Sequence, residues 1–137
     1  MNYWLFKTEP SCWSWQQQKA KGKEGEEWSG VKNYSARNHM RNMTLGEKGF
    51  FYHSREGLEI VGIVEICRTI HPDSTDEKWE CVDVRAVCDL PKPVSLKEIK
   101  QNILLSEMAL VRQSRLSVQP VSPQEWEIIC QMGQLYY

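Results

Sequence analysis

Residues 28–41 read WSGVKNYSARNHMR, and the rest of the chain is interpreted around this segment. A turn at Gly30 leads into a helix for which Asn33 is a suitable N-cap. At about 100° per residue, apolar side chains form one stripe of this helix, while aromatic, amide and guanidinium groups lie opposite. One face can therefore pack on a core, and the other suits planar or anionic ligands. The apolar stripe is Ala36, Met40 and Met43, and the opposite face is Tyr34, Arg37, Asn38 and Arg41.

The composition is that of one globular domain. A chain of 137 residues can bury a core, so we expect a single domain over residues 1–137. The net charge of −1 argues against a polybasic protein that binds nucleic acid by bulk charge. The charge is uneven, because residues 32–55 carry five basic groups and one acidic group, and residues 71–80 carry four acidic groups and one basic group. Such a surface can orient an anionic partner.

The cysteines indicate a reducing compartment. They number five and form no C-x-x-C pair, and the chain shows no signal peptide or hydrophobic span. We therefore expect a cytoplasmic protein that does not associate with membranes, and we assume a monomer. Cys67 and His71 have a ligand-like spacing, but no second pair completes a set of four zinc ligands, so we expect no metal and no cofactor.

Alternation of apolar residues and turn signals predict five strands separated by hairpin turns and short helices. Segments 71–76 and 91–93 are expected to end strands. The predicted strands cover residues 3–7, 50–54, 59–67, 79–87 and 110–118. Helix N-termini are indicated by Ser14 with Gln17, by Ser95 with Glu98, and by Ser122 with Pro123 and Glu125.

These elements predict an α+β domain. We expect a mixed sheet of about five to six strands that curls into a barrel, with short helices flanking it. The helix after Ser95 should direct Leu96, Ile99 and Ile103 inward, and the last helix should bury Trp126 and Ile129.

Polar side chains in segments that should build the core are the main functional clue. Buried polar groups cost about 1 to 3 kcal/mol each unless they are paired, so they form either a structural network or a binding site. As a binding site, the set suits a flat, hydrogen-bonding ring with phosphates nearby. The stacking candidates are Trp13, Trp28, Tyr34 and Tyr52, the edge contacts are Thr8, Asn33, Ser54 and Gln113, and the arginines are Arg37, Arg41, Arg112 and Arg115.

The sequence evidence for catalysis is weaker than the evidence for ligand binding. His53 and Ser54 are neighbours on one predicted strand, so their side chains face opposite sides and cannot pair as base and nucleophile. No glycine-rich loop for phosphates is present. We expect a protein that is not an enzyme, and two alternatives stay open: a small-molecule or nucleotide sensor, and a hydrolase that uses His53.

Five ordered motifs resemble the EVE domain family, and the similarity runs from Tyr3 to about Trp126. The motifs are YWLFKTEP (3–10), WxGVKNYxARN (28–38), FYHS (51–54), IVGI (60–63) and ALVRQSRLSV (109–118). The resemblance implies a PUA-like β-barrel related to YTH and ASCH domains. It also implies that a pocket recognises a modified base in DNA or RNA.

The resemblance also implies which residues line the pocket. Thr8 stands where the family more often has Ser, which keeps the hydroxyl and adds a methyl group. Lys32 stands where Arg is frequent, which keeps the charge but loses the planar fork. The implied pocket residues are Lys7, Thr8, Glu9, Trp28, Asn33, Tyr34, Arg37, Tyr52, His53, Ser54, Arg112, Gln113, Ser114 and Arg115. The expected phosphate contacts are Lys7, Lys32, Arg37, Arg41, Arg112 and Arg115.

Overall fold

The computed structural model describes residues 1–135, which form a six-stranded mixed sheet with helices on both faces. No helix in this range has the length and apolar character needed to cross a membrane. The strands are β1 (Tyr3–Thr8), β2 (Glu26–Glu27), β3 (Lys48–His53), β4 (Glu59–Asp73), β5 (Asp76–Ser95) and β6 (Val118–Val121). The helices are α1 (Trp15–Ala20), α2 (Tyr34–Arg41), α3 (Leu96–Gln101), α4 (Ala109–Arg112) and α5 (Pro123–Met132), with 3₁₀ turns at Gly22–Glu24 and Ile103–Leu105.

The strand order is β2-β5-β4-β3-β1-β6, and only β1 and β3 run parallel among the paired strands of residues 1–135. This confirms the predicted α+β class and the mixed sheet. The expected closure into a barrel is wrong, because the sheet is open. Its end strands have only two and four residues and do not pair with each other.

Alternation along the strands divides the core between the two faces of the sheet. Trp4 and Phe6 of β1 pack on one face with α1 and α2, and Leu5 packs on the other face with α3 and α5. The predicted stripe of α2 is confirmed, since Ala36, Met40 and Met43 are buried on the first face. The Asn33 side chain accepts a hydrogen bond from the Ala36 amide, as an N-cap should.

The three predicted capping boxes are present at Ser14, Ser95 and Ser122. Trp126 and Ile129 are buried as expected. Ile103 was expected to point inward, but it is 84% exposed. The reason is that α3 ends at Gln101 and Asn102 adopts an extended conformation, so the helical periodicity does not reach Ile103.

Two predicted strand ends are wrong, because β4 and β5 form one long hairpin. The proline of segment 71–76 is tolerated because β3 pairs with β4 only as far as Glu65, which leaves Pro72 with one strand neighbour. The prolines of segment 91–93 lie in a bulge, where residues 90–93 of β5 stand opposite Val61 alone. The hairpin therefore continues through both proline sites.

The strand predicted over residues 110–118 is also wrong. This segment forms α4, then a turn, and enters β6 only at Val118. Leu110 is buried in the core under α5, whereas residues 112–115 are exposed. Alternation of polar and apolar residues predicted a strand here, but neither face of that strand would have been apolar enough to pack on the core.

Gly62 allows α1 to approach the sheet closely. A Cβ atom at this position would lie 2.1 Å from Cζ2 of Trp15. The indole of Trp15 packs against the glycine and against Phe51, and its Nε1 donates to Asp89 over 2.6 Å. This contact fixes the start of α1 and the segment before it, which contains Trp13.

Candidate ligand-binding site

A cavity of about 540 Å³ lies where β1 ends, beside the segment before α1 and the loop after β2. Four residues expected at a binding site line it: Lys7, Thr8, Trp13 and Trp28. The other lining residues are Cys12, Glu26, Glu27, Ser29, Gly30, Val31, Ser74, Thr75 and Ser117. The cavity therefore combines two indole rings with hydroxyl groups and charged groups.

Trp28 forms a rigid wall of the cavity. Its indole is 6% exposed and meets Phe6 and Phe51 edge to face, with centroid distances of 5.2 and 5.7 Å. Its amide donates to the Val82 carbonyl over 2.8 Å. Packing and the backbone hydrogen bond together hold the ring in one orientation.

Trp13 is held by a residue that sequence reasoning missed. Its Nε1 donates to Oε1 of Gln18 over 2.9 Å, and Nε2 of Gln18 donates to the Val84 carbonyl over 3.0 Å. Gln18 is fully buried. The Thr8 hydroxyl donates to the Trp13 carbonyl over 3.1 Å. The signal that could have identified Gln18 is its position three residues after Trp15, which places its polar side chain on the inward face of α1.

Asp73 shapes the cavity through Gly30. The Gly30 amide, at a φ of +78°, donates to Oδ2 of Asp73 over 2.8 Å. The amide and hydroxyl of Thr75 donate to Oδ1. Burial alone would raise the pKa of Asp73, but these hydrogen bonds outweigh it and lower the pKa, so the carboxylate stays ionised at neutral pH.

Lys7 connects the cavity to the segment before β6. Its Nζ donates to the Ser114 carbonyl over 2.8 Å, and its amide donates to the Ser117 carbonyl over the same distance. Burial lowers the pKa of the Lys7 amine. The Ser114 carbonyl that holds the Lys7 ammonium group is neutral, so this contact does not cancel the positive charge of Lys7.

A second cavity of about 340 Å³ borders the same two loop segments, 28–35 and 113–117. It is lined by Asn33, Ser35, Gln113, Ser114, Arg115 and Leu116. Four of the residues expected to bind a ligand thus meet here. Arg115 is exposed and has no ion-pair partner within residues 1–135.

Other expected site residues lie on the outer surface beside α2. Tyr34 is 66% exposed, and the Arg37 guanidinium lies 4.9 Å from its ring centroid and 6.0 Å from that of Trp79. Arg41 pairs with Glu80, and Lys32 lies 3.6 Å from Asp76. Arg41 and Lys32 are therefore partly neutralised, and Tyr34, Arg37, Arg41 and Lys32 line neither cavity.

The FYHS motif lies away from both cavities. Tyr52 is 2% exposed in the core under α3 and α5, where burial raises its pKa to about 12. Nε2 of His53 accepts the Trp15 amide over 3.1 Å, and burial lowers the pKa of this imidazole. The Ser54 amide donates to the Thr8 carbonyl. This motif therefore supports the end of β1 and the start of α1.

Two further expected residues are engaged in surface ion pairs. Arg112 pairs with Glu107 over 2.8 Å, and Glu9 pairs with Arg55 over 3.0 Å. Neither Arg112 nor Glu9 lines a cavity. Their sequence neighbours Thr8 and Gln113 do line the cavities. Membership of a motif is therefore not sufficient to show that a residue lines a cavity.

The open mixed sheet, the helices on both faces and the cavity at the end of β1 define a PUA-like domain. A YTH domain from Zygosaccharomyces rouxii has the same fold, with a TM-score of 0.59 at 15% identity over 99% of this chain and 88% of that chain. A family model of the EVE domain matches residues 2–132. The chain therefore belongs to the EVE domain family.

Several relatives resemble the chain over nearly its whole length. Mouse thymocyte nuclear protein 1 is 34% identical over 93% of this chain and 72% of the relative. A protein from Agrobacterium tumefaciens, solved by crystallography, is 62% identical with a TM-score of 0.97, over 98% and 94% of the two chains. Human THYN1, crystallised with DNA containing 5-methylcytosine, is 29% identical with a TM-score of 0.91 over the whole of both chains.

Proposed function

We propose that this chain is a non-catalytic domain that binds nucleic acid and holds one modified nucleobase in the cavity between Trp13 and Trp28. The cavity itself carries the proposal, because two indoles held by hydrogen bonds and packing line a space that also presents polar groups. The complex of human THYN1 with 5-methylcytosine DNA supports the ligand class, since that relative matches this chain from end to end.

The lining suits a base that has left its stack. Stacking on an aromatic side chain contributes about 1 to 3 kcal/mol per base, which offsets much of the cost of unstacking. Thr8 and Ser29 line the cavity, and we assign contacts with the edge of the ring to them. Apolar area from the indoles accommodates an added methyl group.

The neighbouring cavity suits the phosphate backbone on either side of that base. Asn33, Ser114 and Arg115 line it, and it borders the same loops as the first cavity. Lys7 lies between the two, because it lines the first cavity and contacts the carbonyl of a residue that lines the second. We therefore assign backbone contacts to Lys7 and Arg115, which carry no sequence information themselves.

The test is fluorescence anisotropy with matched labelled oligonucleotides that contain cytosine, 5-methylcytosine, adenine or N6-methyladenine, at one low salt concentration. We expect one modified strand to bind more tightly than its unmodified partner. Trp13→Leu should weaken that complex by about 5- to 150-fold, the equivalent of 1 to 3 kcal/mol. Trp79→Leu, on the outer surface, should leave the preference for the modified strand unchanged.

Two results would contradict the proposal. If all strands bind equally and binding is lost when salt is added, the interaction is only electrostatic and does not involve recognition of a base. A modified mononucleotide that binds as tightly as the oligonucleotide would favour a nucleotide sensor. The hydrolase alternative has little support, because Nε2 of His53 is occupied by the Trp15 amide and His53 lines neither cavity.

A further inference from the structure

Three potential metal ligands meet where β2, β5 and β4 lie side by side. Glu27 ends β2, His71 lies in β4, and Cys81 is its register partner in β5. Sγ of Cys81 lies 3.4 Å from Oε1 of Glu27 and 3.9 Å from Nε2 of His71, and the ligand atoms all lie within 4.8 Å of one another. Tetrahedral zinc with bonds of about 2.0 to 2.3 Å separates its ligand atoms by about 3.3 to 3.8 Å.

Hydrogen bonds hold two of these side chains in place. Nδ1 of His71 donates to the Pro72 carbonyl over 2.9 Å, and Nε2 lies 2.7 Å from Oδ1 of Asp83 and 3.9 Å from Sγ of Cys81. The Glu27 carboxylate accepts from the amide and hydroxyl of Ser74 over 3.0 and 2.7 Å. Metal-binding histidines commonly donate their other N–H to a carbonyl, and ligating carboxylates are themselves hydrogen-bonded.

Asp83 lies beside His71 but outside the group of three. Oδ1 of Asp83 lies 2.7 Å from Nε2 of His71, and both side chains are largely buried, at 16% and 10% exposure. The Cys81 side chain is fully buried. The Glu27 carboxylate contacts this thiol and the Asp83 carboxylate contacts His71, so a divalent cation would be attracted by two negative charges.

We propose that Glu27, His71 and Cys81 form a three-residue binding site for a divalent transition-metal ion of the zinc type, in which Nε2 of His71 exchanges its contact with Asp83 for the metal ion. Binding replaces the proton of the Cys81 thiol with the metal ion and releases it to solvent. The ion would join β2 to β4 and β5, and so stabilise the two-residue strand that leads into the Trp28 wall. The site shares Glu27 with the wall of the first cavity, but its test uses the metal ion alone and does not depend on nucleic-acid binding.

The sequence spacing had pointed to a different cysteine. Cys67 lies four residues before His71, but it is outside the group, with its Sγ 3.9 Å from the Glu24 carbonyl. The β4–β5 register instead places Cys81 opposite His71. Cys67 is therefore the matched control for Cys81.

The test is titration of the chain with Co²⁺, a spectroscopic substitute for Zn²⁺, followed by absorption in the near ultraviolet and visible range. We expect one equivalent to bind with a thiolate-to-cobalt charge-transfer band that Zn²⁺ removes. Cys81→Ser should abolish the band, whereas Cys67→Ser should retain it. His71→Gln should weaken binding by about tenfold or more.

The variants are compared after circular dichroism has shown that they are folded, and His71→Gln decides the outcome if Cys81→Ser does not fold. A wild-type chain without the band would overturn the proposal. So would a band that persists in Cys81→Ser, one that disappears in Cys67→Ser, or affinity unchanged in His71→Gln.

Discussion

At the scale of single residues, two arginines of one motif have different environments. Arg112 is neutralised by Glu107, whereas Arg115 lines the second cavity without an ion-pair partner within residues 1–135. A phosphate contact adds to affinity by releasing a condensed counterion, and a cation already paired with a carboxylate adds less. The motif alone gave both residues the same role.

Arg115→Ala should weaken oligonucleotide binding and reduce the slope of log K against log salt by about 1. Arg112→Ala should change both quantities little. The measurement is anisotropy at several salt concentrations. Equal effects of the two substitutions would remove Arg115 from the interface.

Gln18 provides a second prediction at this scale. Gln18→Met keeps the size of the side chain but leaves Nε1 of Trp13 and the Val84 carbonyl without their partner. An unsatisfied buried group costs about 1 to 3 kcal/mol, so the free energy of unfolding in urea should fall by at least that amount. Binding should also weaken, because Trp13 is no longer held.

Gln16 lies in the same helix and is exposed. Gln16→Met should change neither unfolding nor binding. A similar loss of binding in Gln16→Met would show that α1 as a whole, and not the Gln18 amide, determines the effect.

At the scale of secondary-structure elements, local signals predicted the starts of α1, α2, α3 and α5 and the first residues of β1 and β4. The capping boxes and the N-cap of α2 are contacts within a few residues, so their sequence pattern is sufficient. The long β4–β5 hairpin and α4 depend on distant partners. Pro72 is accommodated because β3 is too short to reach it. The sequence around Pro72 does not indicate how long β3 is.

The contact of α1 with β4 yields a prediction about packing. Gly62→Ala should destabilise the protein by about 1 to 3 kcal/mol or more, because the new Cβ overlaps the Trp15 indole. Trp15→Phe makes room, so the double variant should be less destabilised than the sum of the single variants. Urea unfolding of the three variants measures this coupling, and strict additivity would contradict the contact.

At the scale of the whole molecule, an ion-pair group connects three neighbouring strands. Glu65 of β4 accepts from Lys48 of β3 and from Arg85 of β5, and its side chain is 15% exposed. The Lys48 and Arg85 hydrogen bonds lower the pKa of Glu65 below its ordinary value of 4.5. A carboxyl group whose pKa is lower in the folded protein stabilises the fold at pH values above the pKa that it has in the unfolded chain. This contribution is lost as the pH falls through the pKa that the group has in the folded protein.

The melting temperature should therefore fall as the pH drops below about 4.5. Glu65→Gln should melt at a lower temperature than the natural chain at pH 7, and the difference should shrink at low pH. Thermal unfolding followed by circular dichroism across this pH range provides the test. A difference that is independent of pH would show that the carboxylate charge is not involved.

As with the fold, the part of the candidate site that depends on local sequence could be predicted, and the part that depends on distant strand pairing could not. Residues of contiguous motifs that end a strand or follow one, such as Lys7, Thr8 and Trp28, were identified and do line the first cavity. Asp73 supports the cavity, and Cys81 joins the proposed metal site, only because the β4–β5 register and the position of β2 bring them there. Tyr52 lies in a matching motif but faces the other core, since alternation along β3 directs Phe51 towards the cavity side.

The most direct test of the binding site follows the indole N–H signals of the six tryptophans by NMR while a 5-methylcytosine oligonucleotide is added. Single substitutions assign the signals. We predict that the signals of Trp13 and Trp28 shift, because a base stacked in the cavity lies against their rings. The signals of Trp79 and Trp126 should stay in place. If the Trp79 signal shifts while those of Trp13 and Trp28 do not, the nucleic acid binds on the outer surface and the cavity is not its site.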